Sequence, residues 1–174
     1  MKKYIFIGMT VFLTLFITAC GGKSAEINKD IKELVHEYTI GDFAGEDISA
    51  SINSHELIVQ EDGKEKVYAL PEDEFFVSIA PFKTETHECA IHSLTGCQGE
   101  LVEEDFHVTV TNEEGERVID EKMKTFANGF IDLWLPRDQN FDVTIEQDGQ
   151  IAQQEISTFK GDYTCITTMQ LASK

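Results

Sequence analysis

The spacing of apolar residues along this chain changes twice, and each change predicts a different kind of element. Ile27, Ile31, Leu34, Val35 and Tyr38 recur on one helical face with charged residues between them, which predicts an amphipathic helix closed by Gly41. From Ile48 to Leu70 the pattern is that of strands. Leu57-Ile58-Val59 and Val67-Tyr68-Ala69 flank Glu61-Asp62-Gly63-Lys64, a hairpin turn signal. Phe75-Phe76-Val77-Ser78-Ile79-Ala80 is too short for a helix, rich in aromatic and β-branched residues, and closed by Pro81. It reads as a buried strand.

Beyond residue 103 the period is two. Phe106, Val108 and Val110 alternate with His107, Thr109 and Thr111, and Asn112-Glu113-Glu114-Gly115 turns the chain into a second strand over 117–123. Further strands are expected over 130–135, stopped by Pro136, and around Phe141, Val143 and Ile145. Asp148-Gly149 then turns the chain into 151–159, and 163–171 is the last strand. Six short strands with turn signals about ten residues apart predict a β-sandwich. The expected fold is mainly β (α+β): an N-terminal helix and hairpin in region 27–103, then an antiparallel sandwich-like region over 104–174.

The first residues are of another kind. Lys2 and Lys3 precede an apolar stretch from Tyr4 to Ile17, and Ile17-Thr18-Ala19-Cys20 follows. A basic start, an apolar centre and small residues before a cut make an export signal over 1–19. The stretch is short of the about 20 residues that span a bilayer. Cysteine directly after the small residues resembles a bacterial lipobox, so Cys20 is expected to carry lipid and begin the mature chain, with 20–26 as a tether. An extracytoplasmic protein anchored to the membrane follows.

Charge narrows the partners. There are 32 acidic against 14 basic residues, a net charge of −18. Losing Lys2 and Lys3 with the signal takes this to −20 (−18 − 2). Such a surface repels nucleic acid, which is excluded as a partner.

Cysteine count sharpens the chemistry. Setting Cys20 aside leaves Cys89, Cys97 and Cys165. Outside the cytosol thiols tend to pair, and an odd remainder flags a free thiol or a metal ligand. Two of the three lie in the segment from His87 to Glu100, which also holds His92, Gly96 and Gly99. Their spacing is neither that of a zinc knuckle nor that of a Cys-x-x-Cys redox motif. Three outcomes stay open: a Cys89–Cys97 disulfide, a Cys-His catalytic pair, and a thiolate-imidazole metal site. Soft sulfur selects cuprous copper or zinc over calcium and magnesium. Zinc, preferring four ligands, would need His87, His92 or a water as well. Cys165 shares a face of the expected last strand with Tyr163, Thr167, Met169 and Leu171. Met169 reads as core, since four residues along a strand span about 13 Å. His36 and His55 read as solvated.

The run Ser78-Ile79-Ala80-Pro81-Phe82, then Thr86-His87-Glu88-Cys89, His92-Ser93-Leu94-Thr95 and Cys97-x-Gly99-Glu100-Leu101 resembles the signature of the CueP family. These are copper-binding proteins of the bacterial periplasm associated with copper resistance. The resemblance covers most of residues 27 to 171 and implies a third cysteine near the C-terminus, a place that Cys165 occupies. It implies copper, bound as Cu+ and held by Cys89, Cys97 and Cys165, with His87 and His92 as support. The implied role is sequestration, or delivery to a copper-accepting extracytoplasmic protein, without catalysis. The family members are soluble, whereas Cys20 implies a tethered one. The reading from another class is a thiol-disulfide redox enzyme cycling Cys89 and Cys97.

Overall fold

The computed structural model describes residues 30–173. The signal at 1–19, Cys20, the tether at 20–26 and Ile27 lie outside the described residues. The helix expected from the apolar spacing is α1 (Ile31–Ile40), with the Asp30 side chain accepting from the Lys32 backbone at its start. Twelve strands follow: β1 (Ile48–Ile52), β2 (Glu56–Glu61), β3 (Lys64–Ala69), β4 (Glu74–Ile79), β5 (His92–Ser93), β6 (Asp105–Asn112), β7 (Arg117–Lys124), β8 (Ile131–Pro136), β9 (Asn140–Gln147), β10 (Gln150–Ser157), β11 (Cys165–Ile166) and β12 (Ala172–Ser173). The protein is mainly β. Both Asp-Gly hairpins form where the sequence places them, with φ of 51° and 69° at Asp62-Gly63 and 51° and 80° at Asp148-Gly149. Positive φ at both central residues is the turn whose twist matches the flanking strands, which is why Asp-Gly is used there.

The strands form three sheets, ordered β3-β2-β1-β5, β12-β10-β9-β6-β7 and β11-β4-β8. The last is the middle layer. Phe75, Val77 and Ile79 of β4, with Ile131, Leu133 and Leu135 of β8, face the five-stranded sheet and fill one core with Phe106, Val110, Phe141 and Ile145. From the opposite face Phe76 enters a second core with Val35 of α1, Ala50 and Ile52 of β1, and Leu57 and Val59 of β2, and Trp134 packs against it. Because β4 is covered on both sides, it is apolar almost without interruption, whereas β6 and β9 alternate. Its one buried polar side chain, Ser78, donates at 2.6 Å to Asp132 of β8, which also accepts from Thr39 of α1 at 2.9 Å. That carboxylate fastens the helix to the middle sheet, and burial pushes its carboxyl up from the ordinary range.

Two strand expectations are corrected. The strand over 130–135 leaves the C-terminal sheet and pairs antiparallel with β4, Phe76 opposite Trp134. The strand expected over 163–171 is broken up. Only Cys165 and Ile166 pair, parallel to Ser78 and Ile79, a lone bridge joins Gln170 to Phe82, and β12 turns to the edge of β10. Tyr163, expected on the same face as Cys165, is 63% exposed, while Cys165 is buried. The physical reason is that Ile166, Met169 and Leu171 all enter the large core, a spacing that no period-two strand provides. Met169 is core, as expected, and His36 and His55 are exposed.

Phe76 reaches the second core from the middle sheet, so removing it leaves a cavity between layers. Phe76→Ala is expected to cost about 3–5 kcal/mol in urea unfolding. Val67→Ala, on the edge strand β3 and half exposed, stays within about 0.5 kcal/mol.

Candidate metal centre

Cys89, Cys97 and Cys165 arrive from three directions. Pro81 ends the β4 strand, and the chain then runs as an irregular strap over 83–91 that carries Cys89. It re-enters order at β5, where His92 and Ser93 pair with Ile52 and Ser51 of β1. A turn after β5, closed by the Cys97 N–H donating to the Ser93 carbonyl at 3.0 Å, presents Cys97. Cys165 comes from β11, held beside β4 by Ser78 N–H to the Thr164 carbonyl at 2.8 Å and Ala80 N–H to the Ile166 carbonyl at 2.9 Å.

The strap is fastened along its length. The Glu100 carboxylate accepts from the backbone N–H of Lys83 at 2.6 Å, Thr84 at 2.9 Å and Glu85 at 3.3 Å, and from the Thr84 hydroxyl at 2.5 Å. Thr86 donates to the Thr167 carbonyl and Thr167 to the His87 carbonyl, each at 2.6 Å. Gly99 makes the turn after Cys97 possible in a second way. A Cβ there would stand 2.6 Å from the Gly129 carbonyl oxygen, and one on Gly129, whose φ is +79°, would stand 2.8 Å from the Gly99 Cα. The two backbones touch, and only glycine fits on either side.

These supports bring the three sulfurs within 4.8 Å of one another. Cys89 and Cys97 are 3.6 Å apart, and all three thiols are free. Ala80 and Phe130 form the apolar wall around them. The group carries one favoured thiolate. Cys97 is held well below the ordinary thiol range, first by the Cys165 thiol donating to it, with help from His92 and the Ser93 N–H. Cys165 is pushed up because it keeps its proton for Cys97 and is buried, and Cys89 is raised chiefly by burial. Three thiolates cannot coexist here without a cation among them.

The two histidines part company. His92 is fully buried, with Nδ1 3.4 Å from the Cys165 sulfur. Its ring sits against Phe130, centroids 4.5 Å apart, and its Nε2 has no hydrogen-bond partner among the described residues. His87 lies on the surface, Nε2 against the Gln98 carbonyl at 3.2 Å, and is not among the groups that converge. The sequence reading assigned nothing to Thr164, Phe130 or the Ser93 N–H, which surround the sulfurs. It named Glu100 without its role. A carboxylate after two glycines in a loop was the available signal.

Residues 36–170 match the family described as Periplasmic copper-binding protein CueP. A solved structure titled "Crystal Structure of S.CueP" is similar at 33% identity with a TM-score of 0.79, covering 84% of this chain and 91% of that one. No curated protein matches.

The Glu100 clamp has a testable pH signature. Its carboxyl is held down to about 2, chiefly by the Thr84 hydroxyl and backbone. A depressed carboxyl contributes stability that is complete above its unfolded value near 4.5 and is lost as pH falls towards 2. Glu100→Gln should cost about 1 kcal/mol at neutral pH, solvent screening having reduced the effect. In unfolding series over pH, the gap between wild type and variant should close between about 4.5 and 2.

Proposed function

The chain belongs to the CueP family, matching it over residues 36–170, and on that premise we propose that it binds one cuprous ion through Cys89, Cys97 and Cys165 outside the cytoplasm, to sequester copper or pass it on. One observation carries the reading: three free sulfurs from distant parts of the chain within 4.8 Å. Metal–thiolate bonds near 2.3 Å, arranged in a plane, need sulfurs about 4 Å apart. The spread from 3.6 Å upward brackets that figure, so a small adjustment closes the set. Polarisable sulfur favours a soft monovalent ion, which is satisfied by two or three ligands. Zinc is served less well, because its fourth ligand would have to come from His92, a water or a moved His87. Binding displaces the protons held by Cys165 and Cys89, and the buried wall excludes water from the ion.

A thiol-disulfide role for Cys89 and Cys97 is the second reading, favoured by their 3.6 Å separation and by the stabilised Cys97 thiolate. The two part at Cys165. The metal reading requires it, whereas a two-cysteine redox cycle does not.

At the chain's start, the lipobox-like Ile17-Thr18-Ala19-Cys20 supports a lipid anchor. Tethering would confine copper handling to the neighbourhood of the membrane.

Titrating the reduced protein against a cuprous chelator tests the site. Each of Cys89→Ser, Cys97→Ser and Cys165→Ser should lower the affinity at least about a hundredfold, because a neutral hydroxyl binds a soft cation poorly. His87→Ala should stay within about threefold of wild type, since no bond of that ring reaches a sulfur. Wild-type affinity in all three serine variants sinks the proposal, and loss from Cys89→Ser and Cys97→Ser alone turns it towards the two-cysteine reading.

For the anchor, Cys20→Ala should move the protein from the membrane to the soluble fraction. A wild-type mature chain without lipid by mass, or beginning at another residue, overturns the tether.

A further inference from the structure

Thr164 precedes Cys165 and is 1% exposed, and each of its polar groups is bonded to a different segment. Its carbonyl accepts from Ser78 of β4 at 2.8 Å, and its N–H donates to the Ala90 carbonyl of the strap at 3.0 Å. Its hydroxyl donates to the Ile52 carbonyl of β1 at 2.6 Å and accepts from the His92 N–H of β5 at 3.1 Å. The backbone bonds would survive any side chain. The hydroxyl bonds require serine or threonine, because only a hydroxyl gives and takes at one atom.

What the hydroxyl joins matters more than how many bonds it makes. Cys89 and Cys97 belong to one local unit, eight residues apart, around β5. Cys165 belongs to β11, which is two residues long and paired to β4 alone. The backbone of β11 is thus set by β4, whereas the other two sulfurs are set by β5. Thr86 and Thr167 also tie the strap to the segment after β11, but the Thr164 hydroxyl is the side-chain link placed one residue before Cys165, and it is bonded to the N–H of His92. The His92 ring in turn meets the Cys165 sulfur at 3.4 Å. We propose that Thr164 is a positioning residue: its hydroxyl holds the Cys165 sulfur in register with the Cys89–Cys97 pair and so makes the site three-coordinate instead of two-coordinate. This rests on the thiolate site proposed above and names what assembles it.

Thr164→Val preserves shape and removes both hydroxyl bonds, while Thr164→Ser keeps them. X-ray absorption of the cuprous-loaded proteins should count three sulfur neighbours in wild type and in Thr164→Ser, and two in Thr164→Val. The affinity of the valine variant should fall about 10- to 100-fold, the usual effect of losing a group that orients a ligand. In the metal-free proteins, deuterium exchange at the His92 amide should quicken at least tenfold in Thr164→Val and not in Thr164→Ser. Valine buries an N–H without an acceptor, so Thr164→Ala serves as the second variant. It leaves room for a water to satisfy that N–H, and the same loss of the third sulfur is expected from it. Three sulfurs and wild-type affinity in the valine or alanine variant overturn the inference, as does loss of the third sulfur in the serine variant. A wild-type protein that counts only two sulfurs overturns it too. Absence of cuprous binding by the wild type is a separate result, which removes the thiolate-copper reading itself.

Discussion

Everything in this fold is hung from a strand with no exposed face. Phe75, Phe76, Val77, Ser78 and Ile79 are each at most 1% exposed, so β4 presents apolar surface to two cores at once. A strand in that position has to be short and nearly free of polar groups, and it needs partners along both edges. β8 takes one edge in antiparallel register, and the two residues of β11 take part of the other in parallel. That parallel pairing is energetically small, yet it decides where Cys165 stands. The middle sheet therefore does two jobs with one set of residues. It divides the apolar interior into two cores, and it delivers the C-terminal cysteine to the end of β4 where the strap begins.

The sulfur site sits where these constraints run out. Along the strap over 83–91 no residue enters either of the two large cores, and polar side chains, Glu100, Thr86 and Thr167, take over the task of holding the backbone. The bonds they make are short and local, each replacing a ladder bond that the strap lacks. Under them, Phe130 and Ala80 extend the apolar wall as far as the sulfurs. The result is a set of free thiols, two partly buried and one fully, in which a single negative charge is favoured at Cys97. A soft cation is the ligand such an arrangement suits.

Much of the fold could be read from the sequence where the cause is local. The Asp-Gly turns, the alternation of β6 and the continuous apolar run of β4 each depend on neighbours a few residues away, and all are found. The pairing of β8 with β4, and of β11 with β4, depends on which of several similar apolar strands meet, and period alone does not distinguish them. The tail from Tyr163 to Leu171 misled for a related reason. Ile166, Met169 and Leu171 serve the large core while Cys165 joins the sulfur cluster, so an apparent alternation carries no strand. At the site the three cysteines were legible through the CueP resemblance, but composition could not separate His92 from His87. They are five residues apart in one loop, and only the pairing of β5 with β1 puts one inside and leaves the other out.

The separation of the sulfurs along the chain has a consequence in time. His92 and Cys165, 73 residues apart, meet only when β11 has found β4. Contacts between such distant positions form late, after the local hairpins. A chain still emerging, or clipped before its last ten residues, thus offers two sulfurs on a loose strap and no closed pocket. The cluster of three sulfurs is complete only once the chain has reached Cys165, so whatever needs all three depends on an intact C-terminal segment.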